Sequence, residues 1–539
     1  MTTTLNHPTI GQITGRDGDG VTQFLGVQYA TLENRLAEAR VKSSYSTPVD
    51  ATAHGPSSFG PVTAFDNEML FIQHAIPKPP TNHSDLECLN LNITVPKTTQ
   101  KKIPVFVWMH GGGFVLGANS WPHYDHAKIV KLANENGVPV IGIGINFRLG
   151  FAGFMTSEEL RSKGFKTNNQ LRDQRAAYKW VKQYIEGFGG DPGNITVIGE
   201  SAGAAATTLQ LYSKGKIFNR VIATGGSCLL TPTLPKEACE GMYSKALGFL
   251  GLDSLSVDER INKLLTLPAD EIIAKLPPFV QFAPMLDDEI VPVRPTYASI
   301  GDPSDKSMPG KEWADGVMIG DSQFDASVLG FLMAHLKANC RENFSKSLRK
   351  TFASTPKIAE TLIEAYSFGS PASSNQAEDD EMSFKNFLRF ANDIGFYSST
   401  LTFARGWPED AGKVYTFFLN EPNPWPGAYQ GETTHVLDVA LLFQNYNDKL
   451  SPEQKAAAEG FGLDLMRFVA GQAPWQNNTK SHRTAKVFGP SLGKGQAVTK
   501  IIDDAESPET GRRMTVLELS KEVGFDAISQ GLRNFQMGL

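Results

Sequence analysis

Three stretches of the chain are apolar without interruption over the length of a strand: IPVFVWMH (103–110), VPVIGIGINF (138–147) and NITVIG (194–199). A strand with one wet face alternates polar and apolar residues. Continuous runs instead predict strands buried on both faces, as in a parallel sheet with helices above and below it. A different period separates the last two runs. In LRDQRAAYKWVKQYIEGFGGDP (171–192) the apolar residues Ala176, Ala177, Trp180, Val181, Tyr184 and Ile185 recur at helical spacing, which predicts an amphipathic helix that stops at a Gly-Gly-Asp-Pro turn and feeds a strand. Near the start, GQITGRDGDGVTQFLGVQYA predicts a hairpin about its Gly-Asp-Gly turn. GVMIG (316–320) and VYTFFLN (414–420) predict later strands, separated by a mostly helical region that holds the polar loop SFGSPASSNQAEDDE. With no internal repeat and no low-complexity linker, this alternation predicts one α/β unit over residues 1–539 with helical insertions.

Composition narrows the partners. The 539 residues are 41% hydrophobic, enough for a large core, and the net charge is −6. No block of five or six like charges occurs, so neither nucleic acid nor an anionic membrane is an expected partner. No run of 18 apolar residues is present, and MTTTLNHPTIGQITG has neither a basic nor an apolar leader region; the expectation is a soluble, cytoplasmic protein without membrane insertion. The four cysteines, Cys88, Cys228, Cys239 and Cys340, fit neither a zinc site nor a dense disulfide framework, and are expected reduced, with a Cys228–Cys239 bridge left open.

Two glycine-rich motifs carry the chemistry. Gly199-Glu200-Ser201-Ala202-Gly203 follows an apolar strand and runs at once into an alanine-rich helix, the context of a nucleophile elbow in which a serine is held on a strained strand-to-helix turn. The competing reading is a serine that merely caps the helix. His110-Gly111-Gly112-Gly113-Phe114 follows IPVFVWM, and glycines there would let the N–H groups of Gly112 and Gly113, together with that of Ala202, converge on an oxyanion. The acidic residue at a strand end that a dinucleotide site needs about 20 positions further on is missing.

With both motifs in view, the sequence resembles the type B carboxylesterase family, which includes cholinesterases, fungal lipases and para-nitrobenzyl esterases. FLGVQYA, LECLNLNITVP (86–96), HGGGF, NFRLGFAGF (146–154), DQRAAYKWV, FGGDPGNITVIGESAGA and THVLDVALLF (434–443) carry the resemblance over nearly the whole chain. It implies an α/β-hydrolase fold, a large and mostly parallel sheet flanked by helices, with pocket-forming insertions roughly within 60–90 and 250–440. It also implies a carboxylic ester hydrolase acting on small-molecule esters, with a serine-acid-histidine triad and neither a metal nor an organic cofactor. Ser201 is then the nucleophile. In the family's chain order the base lies downstream, where His335, His435 and His482 are available; His435 occupies the family's position. The acid falls at Asp325 by counting from Gly320, with Asp321 as the rival, and Asp325 as a mere helix cap is the alternative. Glu200 is expected to line the site beside the histidine, as is Phe114. His123 and His126 lack an evident third metal ligand.

Three departures qualify the resemblance. Nothing upstream of Cys88 can form the family's first disulfide. The acidic partner usual for Arg35 falls at Leu86, so that ion pair is expected to be lost or taken over by Glu87. The tryptophan that stacks on quaternary ammonium in cholinesterases has no counterpart in IQHAIPKPPTNHSD, which argues against choline esters. The expected substrate is a small to medium apolar ester. A lipase, thioesterase or amidase variant of the same chemistry, or a catalytically silent binding protein, is the alternative.

Overall fold

The computed structural model describes residues 1–409, 412–479, 481–491, 499–503 and 510–538. Its strands are β1 (Thr2–His7), β2 (Gly11–Asp17), β3 (Val21–Gln28), β4 (Asn90–Pro96), β5 (Ile103–Met109), β6 (Ile141–Ile145), β7 (Gly190–Glu200), β8 (Arg220–Thr224), β9 (Gly316–Ser322), β10 (Lys413–Leu419), β11 (Thr484–Phe488) and β12 (Thr499–Asp503). They form one sheet in the order β1-β2-β3-β4-β6-β5-β7-β8-β9-β10-β11-β12, with the two-residue strand Val49–Asp50 beside β2. From β6 to β11 every pairing is parallel. Antiparallel pairs close both edges, among them the hairpin β2–β3.

The continuous apolar runs are the middle of this sheet, and the two sides of each strand feed different cores. Val105, Val107 and Met109 of β5 pack in one cluster with Val197, Ala223 and Ile319, whereas Phe106 and Trp108 pack on the other side with Ile198, Ile222 and Met318. Such two-faced burial requires apolar residues at every position, because successive side chains point to opposite faces.

The helix predicted before the elbow spans Asn169–Tyr184, and the six residues expected on its apolar face are all buried. Its stop differs in detail from the expected turn. Gly189 ends a short 3₁₀ turn at φ 90°, but Gly190 already belongs to β7, and Asp191-Pro192-Gly193 is accommodated as an irregularity in the pairing with β5 between Gly190 and Ile195.

Part of the polar stretch expected as a loop is also helical. A helix begins at Gln376, with the Asn375 side chain accepting the Ala377 N–H, and Glu378 and Asp379 in its first turn complement the positive end of the helix dipole. Polarity there reflects a helix start and an exposed face.

The Arg35 ion pair is retained through another residue. Arg35 Nη2 lies 2.6 Å from Asp85 Oδ2, while Leu86 and Glu87 are exposed. All four cysteines are free and buried. Among the described residues no helix is long and apolar enough to cross a membrane.

Candidate active site

β7 ends at Glu200 and a helix, Ala202–Leu209, starts one residue after Ser201. Ser201 itself has φ 55° and ψ −124°, a conformation that costs a non-glycine residue roughly 1–3 kcal/mol. Its flanking glycines are dictated by space: a Cβ on Gly199 would stand 2.3 Å from the Gly203 carbonyl oxygen, and one on Gly203 would stand 2.2 Å from that of Met109. The Ser201 N–H donates to the Thr224 carbonyl at 3.0 Å, which ties the turn to β8. Although Ser201 occupies the position before the helix, its side chain makes no capping hydrogen bond. The hydroxyl is therefore free for another use.

His435 stands on the loop ahead of the helix Leu437–Leu442 and is 2% exposed. Its Nδ1 lies 2.8 Å from Asp325 Oδ1, and its backbone N–H donates to Ser327 Oγ. The other oxygen of Asp325 accepts the Ser322 N–H at 2.7 Å. The helix that follows, Ser327–Leu332, has Ala326 at its cap position and no side-chain cap, so Asp325 does not serve as one. On the far side of the imidazole, Nε2 is 3.1 Å from Glu200 Oε1. The Ser201 hydroxyl makes no hydrogen bond among the described residues. The serine–histidine contact is thus the one link in the expected relay that no hydrogen bond closes, and such contacts in unliganded sites commonly tighten with substrate.

Gly112 and Gly113 have φ 96° and 60°, and their N–H groups donate to no protein acceptor among the described residues. Ala202, first in its helix, has an amide with no partner inside that helix. All three residues line one cavity with Ser201, Glu200 and His435. Its volume is about 410 Å³, and most of the remaining wall is apolar, including Phe71, Leu116, Leu230, Leu329 and Phe396. Phe114, expected to line the site, does not: with φ 67° its ring turns into the core against Phe154, and Val115 and Leu116 form the wall instead.

A model of the carboxylesterase family matches residues 2–489. The chain belongs to the carboxylesterase family. Para-nitrobenzyl esterase of Bacillus subtilis (strain 168) is 31% identical over 300 residues, which cover 53% of this chain and 58% of that one. The inactive carboxylesterase-like protein VdtD of Byssochlamys spectabilis is 33% identical over 225 residues, 40% of this chain and 36% of its own length. The chain thus spans less than two thirds of each of these relatives. Among solved structures, a PNB esterase superposes with a TM-score of 0.73 at 22% identity, covering 95% of this chain and 99% of the other, which establishes the α/β-hydrolase fold.

This member of the carboxylesterase family surrounds its histidine with acids. Glu68, Glu200, Asp325 and Asp438 all act electrostatically on one another or on His435. Burial, reinforced by Asp438, Glu68 and Asp325, pushes the Glu200 carboxyl well above its ordinary range. Burial also pushes Asp438 up to about 6, with Asp325 adding to the effect, while its carboxylate accepts hydrogen bonds from the Thr224 hydroxyl and the Val439 N–H. Glu68 goes the other way: burial is outweighed by His123 and by a 2.5 Å hydrogen bond from the Tyr124 hydroxyl. For His435, burial alone would favour the neutral ring, but the hydrogen bond and charge of Asp325 prevail and raise its pKa above the usual value.

Glu68 and Asp438 are the site residues that sequence reasoning missed. Asp438 lies three residues after His435 inside the quoted THVLDVALLF, whereas Glu68 comes from a short helix, Ala64–Ile72, with no motif around it. The other candidates lie apart. His335 and His482 are exposed, and burial pushes Asp321 up to about 8. His123 faces Glu68, His126 is packed against Phe106 and Phe443, and no group of three or more metal-binding side chains is assembled among the described residues.

Proposed function

We propose that the protein is a serine carboxylesterase using Ser201, His435 and Asp325, with Gly112, Gly113 and Ala202 as the oxyanion hole. The observation that carries this reading is the Asp325–His435 pair, whose histidine lines the same cavity as a serine held on a strained elbow. Ser201 Oγ attacks the ester carbonyl carbon while its proton passes to His435 Nε2, and the carbonyl oxygen, now negative, takes hydrogen bonds from the three amides. As the C–O bond to the alcohol breaks, His435 returns the proton to the departing oxygen. Water then repeats the sequence on the acyl-enzyme, releasing the acid and restoring Ser201. Asp325 fixes the ring with its proton on Nδ1 and stabilises the imidazolium. Glu200, 3.1 Å from Nε2, adds a polar neighbour on the side of the ring away from Asp325.

A cavity of about 410 Å³ with a mainly apolar wall suits small to medium esters. We read the chain as one catalytic domain over 1–539, its pocket finished by the segments within 60–90 and 250–440. The four free, buried cysteines accord with a cytoplasmic location. A silent binding protein is the second reading, favoured by the likeness to VdtD. Hydrolysis of p-nitrophenyl acetate, with fluorophosphonate labelling that disappears in Ser201→Ala, is the result expected of an esterase. Unlabelled, inactive wild-type protein that is folded would establish the second reading.

A further inference from the structure

The cavity has a wall that lies beyond the residues matched by the family model. The C-terminal helix, Thr510–Gln536, is broken at Gly524, and its last turns bring Ser529, Leu532, Arg533 and Gln536 to the cavity. Gln281 joins them from another segment. Among the described lining residues Arg533 is the one arginine or lysine, and no carboxylate of the described residues lies within ion-pair distance of it; the charge of Asp526 reaches it from further off, its oxygens accepting the Tyr297 and Ala298 N–H groups. Its neighbours on the helix hold it with neutral acceptors: Nη1 donates to Ser529 Oγ at 2.7 Å, and Nε and Nη2 donate to Gln530 Oε1 at 3.3 and 3.0 Å.

Asp526 thus meets this charge only at a distance, and no carboxylate of the described residues is in direct contact with the guanidinium. A half-buried guanidinium loses hydration, and neutral acceptors restore less of that loss than a carboxylate would. A guanidinium has five N–H donors. The three hydrogen bonds above leave one N–H on each terminal nitrogen to offer to a carboxylate, the group that a guanidinium fork is suited to bind. The acids already in the cavity do not compete for them. Glu68 is engaged by His123 and Tyr124, and Glu200 lies 3.1 Å from His435 Nε2.

We propose that Arg533 is a specificity residue for esters that carry a carboxylate remote from the scissile bond, such as monoesters of medium-chain dicarboxylic acids. The inference rests on the esterase reading for its substrate role, and its binding component is testable without turnover. In the proposed complex the substrate carboxylate accepts from Nη1 and Nη2 while the chain between the two ends lies along the apolar wall and the ester reaches Ser201.

The test compares mono-p-nitrophenyl suberate with p-nitrophenyl octanoate, two acyl chains of equal length that differ in the terminal carboxylate. The ratio of their kcat/KM values should fall about tenfold or more in Arg533→Gln, mainly through KM, as expected for loss of a hydrogen bond between charged groups. Arg533→Lys, which keeps the charge without the fork, should fall between the two. An unchanged ratio in both variants overturns the proposal. Calorimetric titration with suberate, on wild type and Arg533→Gln whose circular dichroism spectra agree, provides the arm that survives failure of the esterase reading. Binding weakened about tenfold or more in the variant supports the anion site even in a protein that hydrolyses neither ester. Equal affinity, or no binding to wild type, rejects it.

Discussion

Asp325 and Asp321 are four residues apart and both buried. Asp325 is paired with His435, whereas burial holds Asp321 at about 8, so that it is largely protonated at pH 7. Replacement of each by asparagine should separate them. Asp325→Asn should lower kcat by about 10⁴, the effect seen when the acid of a serine-protease triad is changed this way, because the histidine is then held in the wrong tautomer. Asp321→Asn replaces a neutral carboxyl with a neutral amide and should remain within a few-fold of wild type; steady-state kinetics showing the reverse pattern would move the acid to Asp321. The same pair governs pH dependence. His435 must be neutral to accept a proton, and Asp325 raises its pKa above 6.5. A kcat/KM profile should therefore lose activity as pH falls through a value above 6.5, and in Asp325→Asn the residual limb should move to lower pH. A limb below 6.5 in the wild type would contradict the charge balance around the ring.

At the level of elements, the histidine depends on a contact far away in sequence. A π-helical turn, Asp393–Tyr397, presents Phe396 edge-on to the His435 ring at 5.7 Å. The turn is held from outside the sheet: buried Asp393 accepts from Arg512 Nε and Arg513 Nε, each at 2.7 Å, and from the Tyr366 hydroxyl at 2.9 Å. Arg513 is 2% exposed and stacks over Tyr397. The C-terminal helix is thus fastened to the turn that borders the site. Arg513→Ala leaves Asp393 buried with half of its cationic partners gone, and a broken buried pair costs about 3–5 kcal/mol. Urea unfolding should show that loss, reduced by whatever Arg512 retains. A change below about 0.5 kcal/mol would mean that the helix is not anchored here.

For the whole molecule, buried protonated acids set the response to alkali. A carboxyl whose folded pKa is raised binds its proton more tightly folded than unfolded, so stability is highest below the unfolded pKa, near 4, and declines as pH rises toward the folded value. Asp438, at about 6, and Asp321, at about 8, place that decline between pH 4 and 8; Glu200 acts in the same direction. His435, also raised, contributes stability below its unfolded pKa that is lost as pH rises through the folded one. The melting temperature should therefore fall between pH 6 and 8.5, and Asp321→Asn should flatten that slope. A wild-type melting temperature that rises across this interval would show that groups elsewhere dominate.

By itself the sequence determined the features that are local in origin. The sheet interior follows from apolar runs that leave no face for water, the helix 169–184 from its periodicity, and the elbow from two glycines that no other residue could replace next to the Gly203 and Met109 carbonyls. Gly112, Gly113 and Ala202 were legible for the same reason, since glycines and a helix start leave backbone amides open. The tertiary structure alone decided what depends on long-range approach. Asp325 and His435 are 110 residues apart in the chain, and nothing between them encodes their 2.8 Å contact except the closure of β9 and β10 onto one sheet. Glu68 and Arg533 carry no motif, and Asp438, though inside one, is marked as a site residue only by its burial near Asp325 and His435; what each of them does depends on where the fold places it. The C-terminal helix showed the same limit: its role comes from Asp393, more than a hundred residues earlier, and from a cavity whose other walls are drawn from nearly the whole length of the chain.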